Sequence, residues 1–157
     1  MDDSNNSDTG VDPVHLQVVV ENLPAGFEIL RAEALADGHG FIEKLATDWM
    51  SHKTRFDREG ESLLAALVNG ELAGIAGITT EPIVPGALRM RRFYVRPVYR
   101  RDGIGRKLAM ALLVGARRRG CSVTVNASKG SVPFWESLGF KRDSRDGHTH
   151  LLDAGGQ

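Results

Sequence analysis

The sequence predicts a single α+β domain, and three observations lead there. Short apolar runs bounded by turn residues alternate with segments whose apolar side chains recur at helical spacing. Asn69-Gly70 sits between two of the runs, a strong local mark of a β-hairpin. No linker-like stretch and no internal repeat divides the 157 residues, a length that suits one buried core.

Each element has its own local signal. Residues 1–14 have few apolar side chains and are expected as a mobile tail, with the domain over 15–157. From His15, the alternation of Leu16, Val18 and Val20 with their neighbours predicts a strand with one side more buried. Leu23-Pro24-Ala25-Gly26 reads as a turn. Phe27, Leu30, Ala34 and Leu35 predict a helix over 25–37, which Gly38 and Gly40 interrupt. Phe41, Leu45 and Trp49 predict a second helix over 39–52. Ser62 to Val68 and Leu72 to Thr79 read as the arms of the hairpin, with Gly74 and Gly77 marking weak points or close backbone approach. Leu88 to Val95 is a further strand, closed by Pro97. A helix is expected over Gly103 to Arg119, with Ile104, Leu108, Ala111 and Leu112 inward and Gly120 as its C-terminal stop. Ser122 to Ala127 reads as a strand. Val132 to Leu138 reads as a short helix with Pro133 in its first turn. Phe140 to Asp143 and Thr149 to Leu152 read as a last hairpin around Asp146-Gly147.

Composition narrows the function classes. Apolar content of 41% and charged content of 25% are ordinary for a soluble globular protein. No apolar run nears the roughly 20 residues that span a bilayer. The polar, acidic start lacks the features of a secretory signal. Cys121, the single cysteine, excludes an internal disulfide. The cytoplasm and no membrane partner are expected. A net charge of zero hides an asymmetry: residues 1–88 carry 5 Lys/Arg against 15 Asp/Glu, and residues 89–157 carry 15 against 5. The basic residues concentrate between Arg89 and Arg119, where they can attract an anion.

Val95 to Lys107 is the most informative segment. A strand ends, a glycine-bearing turn comes next and a helix begins. The first turn of a helix offers unpaired N–H groups and a partial positive charge. Gly103 and Gly105 let an anion approach the backbone, and Arg100, Arg101, Arg106 and Lys107 add charge. The chemistry suits a pyrophosphate. The nucleoside-triphosphate loop is absent, and Leu108 stands where a dinucleotide fingerprint needs its third glycine.

Arg100-x-x-Gly103-x-Gly105 resembles the Gln/Arg-x-x-Gly-x-Gly/Ala signature of the GNAT N-acetyltransferases. Phe93-Tyr94-Val95-Arg96-Pro97 before it and Phe134-Trp135-Glu136-Ser137-Leu138-Gly139-Phe140 after it are similar to that family's flanking segments. The element order is also the family's, over about residues 15–152. The resemblance implies a mixed, mostly antiparallel central sheet flanked by helices, with its fourth and fifth strands splayed. It implies acetyl-CoA as co-substrate, held by Phe93, Tyr94, Val95, Arg100, Arg101, Asp102, Gly103, Ile104, Gly105, Arg106, Ser128 and Phe134. It implies direct attack of an amine on the thioester within a ternary complex. A backbone N–H on the fourth strand would stabilise the oxyanion.

The sequence departs from the family in two places. Trp135 occupies the position of the usual tyrosine acid, and an indole N–H is not a useful acid. Residues 87–97 contain no carboxylate where many relatives carry a catalytic glutamate. Glu81 and His150 are the candidate bases. His148 and His150 lack a third ligand at metal-binding spacing, so no metal is expected. The expected activity is acetyl transfer to a primary amine, with a small molecule as acceptor. The alternatives are a protein or peptide acetyltransferase and a non-catalytic acyl-CoA sensor. Nucleic-acid binding is not expected, because the basic run coincides with a cofactor signature. Relatives often dimerise, so a homodimer is expected. The acceptor site would fall between Ala36 and Phe56 and between Asp143 and His150.

Overall fold

A computed structural model describes residues 13–145 and 147–154. The expected tail, apart from its last two residues, lies outside them, as does Asp146 of the last turn. Among the described residues, seven strands form one sheet: β1 (Val14–Val18), β2 (Ser62–Val68), β3 (Glu71–Thr80), β4 (Leu88–Val95), β5 (Val123–Val125), β6 (Lys141–Arg145) and β7 (His148–Leu152). Four α-helices accompany them: α1 (Phe27–Ala36), α2 (Phe41–Met50), α3 (Ile104–Arg118) and α4 (Val132–Ser137). The spatial order is β1-β2-β3-β4-β5-β7-β6. Every neighbouring pair is antiparallel except β4 and β5, which are parallel. This is the mixed α+β sheet that the sequence predicts.

The sheet separates two cores. On one face, α3 and α4 pack with Leu108, Leu112, Trp135 and Phe140 against Ile78 and Met90. On the other, α1 and α2 pack with Leu30, Leu45 and Trp49 against Phe56, Ile75 and Tyr94. The β2–β3 hairpin turns on Asn69 (φ 50°) and Gly70 (φ 86°), both left-handed, as a two-residue hairpin loop demands. Gly77 is needed because a Cβ there would stand 2.4 Å from the Phe56 ring.

Some expectations need correction. β1 is an edge strand paired with β2 alone, and it buries neither side: Leu16 is 39% and Val18 56% exposed. Val19, just beyond it, enters the core instead. Leu35 is exposed, because the buried stripe of α1 runs through Phe27, Leu30 and Ala34. Ala111 faces out of α3, whose inner stripe includes Ala109, Leu113 and Ala116 beside Leu108 and Leu112. The stripe obeys the 3.6-residue period, one position round from the expected one.

Two irregularities in β4 shape the centre of the sheet. First, β4 and β5 pair only at Leu88–Val123 and Arg89–Thr124. From Met90 onward, the β5-facing edge of β4 has no strand partner among the described residues. Second, Arg92 and Phe93 together stand opposite Ala76, since Arg91 pairs with Gly77 and Tyr94 with Ile75. Arg92 takes a left-handed conformation (φ 56°), and this bulge turns the strand. Before it, Met90 faces α3; after it, Phe93 and Val95 do so.

Candidate active site

The splay of β4 from β5 opens a groove of about 1140 Å³. Its walls are β4 from Arg89 to Val95 and the segment Val125 to Ser131. Arg100, Arg101 and Gly103 to Arg106 close one end, with Phe134 and Trp135 beside them. His39, from the turn between α1 and α2, and Phe41, the first residue of α2, also line it.

The loop end is built from local constraints. A short 3-10 turn, Pro97–Tyr99, leads into Arg100. Arg101 (φ 74°) and Gly103 (φ 79°) are both left-handed, which aims the chain into α3. No side chain caps the N-terminus of α3, and its first intrahelical bond runs from the Lys107 N–H to the Gly103 carbonyl at 3.0 Å. The first-turn N–H groups therefore face outward as donors. A Cβ on Gly105 would stand 3.4 Å from Phe93 Cε1 and 3.7 Å from Phe134, so glycine lets α3 close on the aromatic wall. Nothing crowds Gly103, whose requirement is conformational. Ile104 anchors the turn in the core. Arg101 and Arg106 are exposed at the mouth or along the helix, and Asp102, also exposed, does not line the groove.

Arg100 is tied down. Its Nε donates to the Val95 carbonyl at 2.8 Å and its Nη2 to Asp37 Oδ2 at 2.9 Å. The Tyr94 hydroxyl donates to the same Asp37 oxygen at 2.7 Å. Hydrogen bonds from Tyr94 and then Arg100 hold the Asp37 carboxyl below its ordinary value. Burial, and the bond to Asp37, push the Tyr94 phenol well up. The Tyr94 ring lies in the α1/α2 core. Asp37 caps α1, so the network ties the end of α1, the middle of the sheet and the loop together.

Trp135 is buried, edge-on to Phe93, Phe134 and Phe140 with ring centroids 5.0, 4.9 and 5.4 Å away. It is part of the groove wall and of the core. Ser128 lines the groove opposite, its hydroxyl 3.0 Å from that of Ser131.

Neither expected base reaches the groove. Glu81 is 4% exposed. Its carboxylate accepts from Thr124 Oγ1, from the Ile83 and Val84 N–H groups and from Arg89 Nε at 2.8 Å. Burial pushes its pKa up, but bonds from Thr124, the Ile83 N–H and Arg89 outweigh that and hold it below the usual glutamate value. A carboxylate so occupied braces β4 against β5. His150 is fully buried, with Nε2 2.9 Å from Glu136 Oε2 and Nδ1 2.8 Å from Thr149 Oγ1. It pairs with Val125 across the ladder and ties α4 to the sheet.

The structure brings other groups forward. His39 sits between two glycines in the turn after α1, its ring 5.1 Å from Phe41 and 5.9 Å from Tyr94. No hydrogen bond engages its ring nitrogens among the described residues. Arg91 and Arg92 line the groove beside Arg89. Sequence reasoning saw these arginines only as part of a basic run. His39 left no signal beyond its glycine neighbours. Among the described residues, no three His, Cys, Asp or Glu side chains group as a metal site would. No helix there is long and apolar enough to cross a membrane.

The model of the acetyltransferase (GNAT) domain matches residues 30–152. The chain belongs to the GNAT acetyltransferase family. Across 81 residues it is 33% identical to glucosamine 6-phosphate N-acetyltransferase of Trypanosoma brucei brucei, covering 48% of this chain and 55% of that protein. Across 138 residues it is 28% identical to the camello protein of Xenopus tropicalis, which bears an N-acetyltransferase name, covering 85% of this chain and 62% of that one. The chain thus spans little more than half the length of these curated relatives. Solved acetyltransferase structures share its fold. One from Exiguobacterium sp. 255-15 superposes with a TM-score of 0.82 at 24% identity, over 90% of this chain and 94% of the other. A family acetyltransferase of Elizabethkingia anophelis, solved with acetyl-CoA bound, superposes with a TM-score of 0.60 at 16% identity, over 90% and 96%.

Proposed function

We propose that this chain moves an acetyl group from acetyl-CoA to the primary amine of a small molecule, with both substrates bound together. The observation that carries the proposal is the single groove that joins the uncapped start of α3 to the unpaired edge of β4 and to His39.

The pyrophosphate of the co-substrate is assigned to the first-turn N–H groups of α3, with Arg101 and Arg106 adding charge. Phe93, Tyr94 and Val95 offer the unpaired backbone edge along which the pantetheine arm would add as a strand does. Phe134 and Ser128 border the arm from the other wall. A backbone N–H near the bulge then polarises the thioester carbonyl and steadies the oxyanion.

The amine nitrogen attacks the carbonyl carbon, a C–N bond forms, and the C–S bond breaks with its electron pair on sulfur. The proton leaving the nitrogen goes to His39, whose imidazole borders the groove and whose ring nitrogens make no hydrogen bond among the described residues. Glu81 and His150 take no part in this scheme, since both are buried and bonded elsewhere. The thiol that leaves has an ordinary pKa of about 8.5, so thiolate departs without a strong acid and Trp135 need not supply one. The exposed edge of β1 supports a homodimer, because an unpaired apolar edge invites a partner.

Incubation with acetyl-CoA and a panel of amines, reading released thiol and acylated product, tests the proposal. Stoichiometric thiol and N-acetyl product are expected. Tight CoA binding without turnover across the panel would instead favour a non-catalytic acyl-CoA sensor.

A further inference from the structure

Three guanidiniums share the α1/α2 side of β4, and among the described residues two buried carboxylates answer them. Arg89 and Arg91 alternate with Met90, so their side chains leave the sheet opposite α3. The bulge keeps Arg92 on the α1/α2 side, where its Nη2 lies 3.6 Å from Asp48 Oδ2 of α2. Arg89 is matched by Glu81, yet its Nη2 is buried without a partner. Asp48 is shared, since Lys44 Nζ also lies 4.0 Å from it. Arg91 is left over. Its Nε is buried and unpartnered, and no hydrogen bond or ion pair reaches its guanidinium among the described residues.

A buried donor without an acceptor costs free energy, and a buried charge costs more. Burial, and then the neighbouring Arg89 charge, lower the Arg91 pKa, the direction expected of a cation lacking an anion. Glu81, Asp48 and Glu61 act on it in the opposite sense without cancelling this. All three arginines line the groove. The loop that would take the pyrophosphate begins beyond Val95, and four residues of strand put it about 13 Å from Arg91. The two cationic ends are therefore separate. Gly147, in the last hairpin, lies over the Arg89 end, where a Cβ would stand 2.9 Å from Arg89 Nη2.

We infer that the acceptor amine carries an anionic oxygen group, phosphate or carboxylate, which seats on the Arg91 fork with Arg92 beside it. This rests on the acetyltransferase reading and adds the substrate's second functional group. A guanidinium offers two parallel N–H donors to such a group, and Arg91 has that fork unspent. The amine of the same molecule would then lie between Arg91 and the thioester, on the side of His39.

Matched acceptors decide it: glucosamine 6-phosphate against glucosamine for phosphate, and β-alanine against β-alaninamide for carboxylate. In at least one pair, wild type should use the anionic member with kcat/KM at least about tenfold higher. Arg91→Met should reduce that preference below about threefold, and Arg91→Lys, which keeps charge and loses the fork, should fall between. Thermal melting establishes that the variants fold, and if neither does, the wild-type ratios still decide. Equal use of both members in both pairs, or a preference that survives Arg91→Met, overturns the inference. Calorimetry with CoA separates the two levels. Wild type that binds CoA and acetylates both members equally loses only the anionic acceptor. Wild type that does not bind CoA loses the acetyltransferase reading, and this one with it.

Discussion

The loop end of the groove comes from one continuous stretch, Val95 to Arg106, whereas its other end is assembled from His39 and from Arg89 to Arg92. The first is made chiefly of backbone: left-handed Arg101 and Gly103, and a helix start that no side chain caps. The second is made of side chains whose charges are paired only in part. A site of backbone donors accepts one kind of ligand, a multiply charged anion, whatever the flanking side chains. A site of side chains can be retuned by single substitutions, and that is where specificity can vary within one fold.

The largest expected effect lies at the second end. His39→Ala should lower turnover by about 10²- to 10⁴-fold, the usual share of a positioned base, while CoA affinity measured by calorimetry changes little. A parallel loss of CoA affinity would break the division between the two ends. Next is the wall that both ends share. Trp135→Ala should cost about 3–5 kcal/mol of stability in denaturant titration, because it removes a buried indole from four-ring packing. Trp135→Phe should keep most activity. A folded, CoA-binding Trp135→Phe protein without turnover would show that the indole does more than pack. Gly105→Glu comes third. It meets the Phe93 ring and places charge beside the anion site, so CoA should bind at least about tenfold more weakly, some 1.4 kcal/mol. Unchanged affinity would move the donor site elsewhere.

The smallest effect concerns Asp37, which joins the two ends. Its carboxyl is held below the ordinary 3.8, so its stabilisation is present above that value and is lost as pH falls through the lower folded value. Wild type should therefore lose more melting temperature than Asp37→Asn when pH drops from about 5 to about 3. Equal losses would mean that the Asp37 network does not hold the turn against the loop.

The same contrast explains how far the sequence disclosed the molecule. β2, the hairpin turn and β4 were legible to the residue, because short apolar runs bounded by turn residues and Asn-Gly are local signals. The loop was legible because glycine and arginine spacing is local too. The acceptor end was not. His39 meets β4 only through tertiary packing, and the face on which Arg91 and Arg92 emerge depends on a bulge that no local pattern marks. Glu81 and His150 were attractive as titratable residues near the right strands, but a sequence does not say that Thr124, Arg89 and Glu136 already occupy them. The expected burial of β1 failed for a related reason: alternation shows that a strand could bury one side, not that a helix will cover it.

The extra residue at Arg92 also bears on how this chain can change in length. Side chains alternate faces along a strand, and Arg91 and Arg92 share the α1/α2 side, so removing Arg92 would restore plain alternation and leave Phe93 and Val95 toward α3 and Tyr94 toward α1 and α2. Phe93 in the aromatic wall, the Tyr94–Asp37 bond and the Arg100–Val95 bond would keep their faces, while the extra local twist and the Arg92–Asp48 pair would be lost. Point substitutions at Arg91 or Arg92 leave this geometry standing. Arg92 is therefore the position in β4 where losing one residue exchanges no faces, so the strand can shorten there without turning its side chains over.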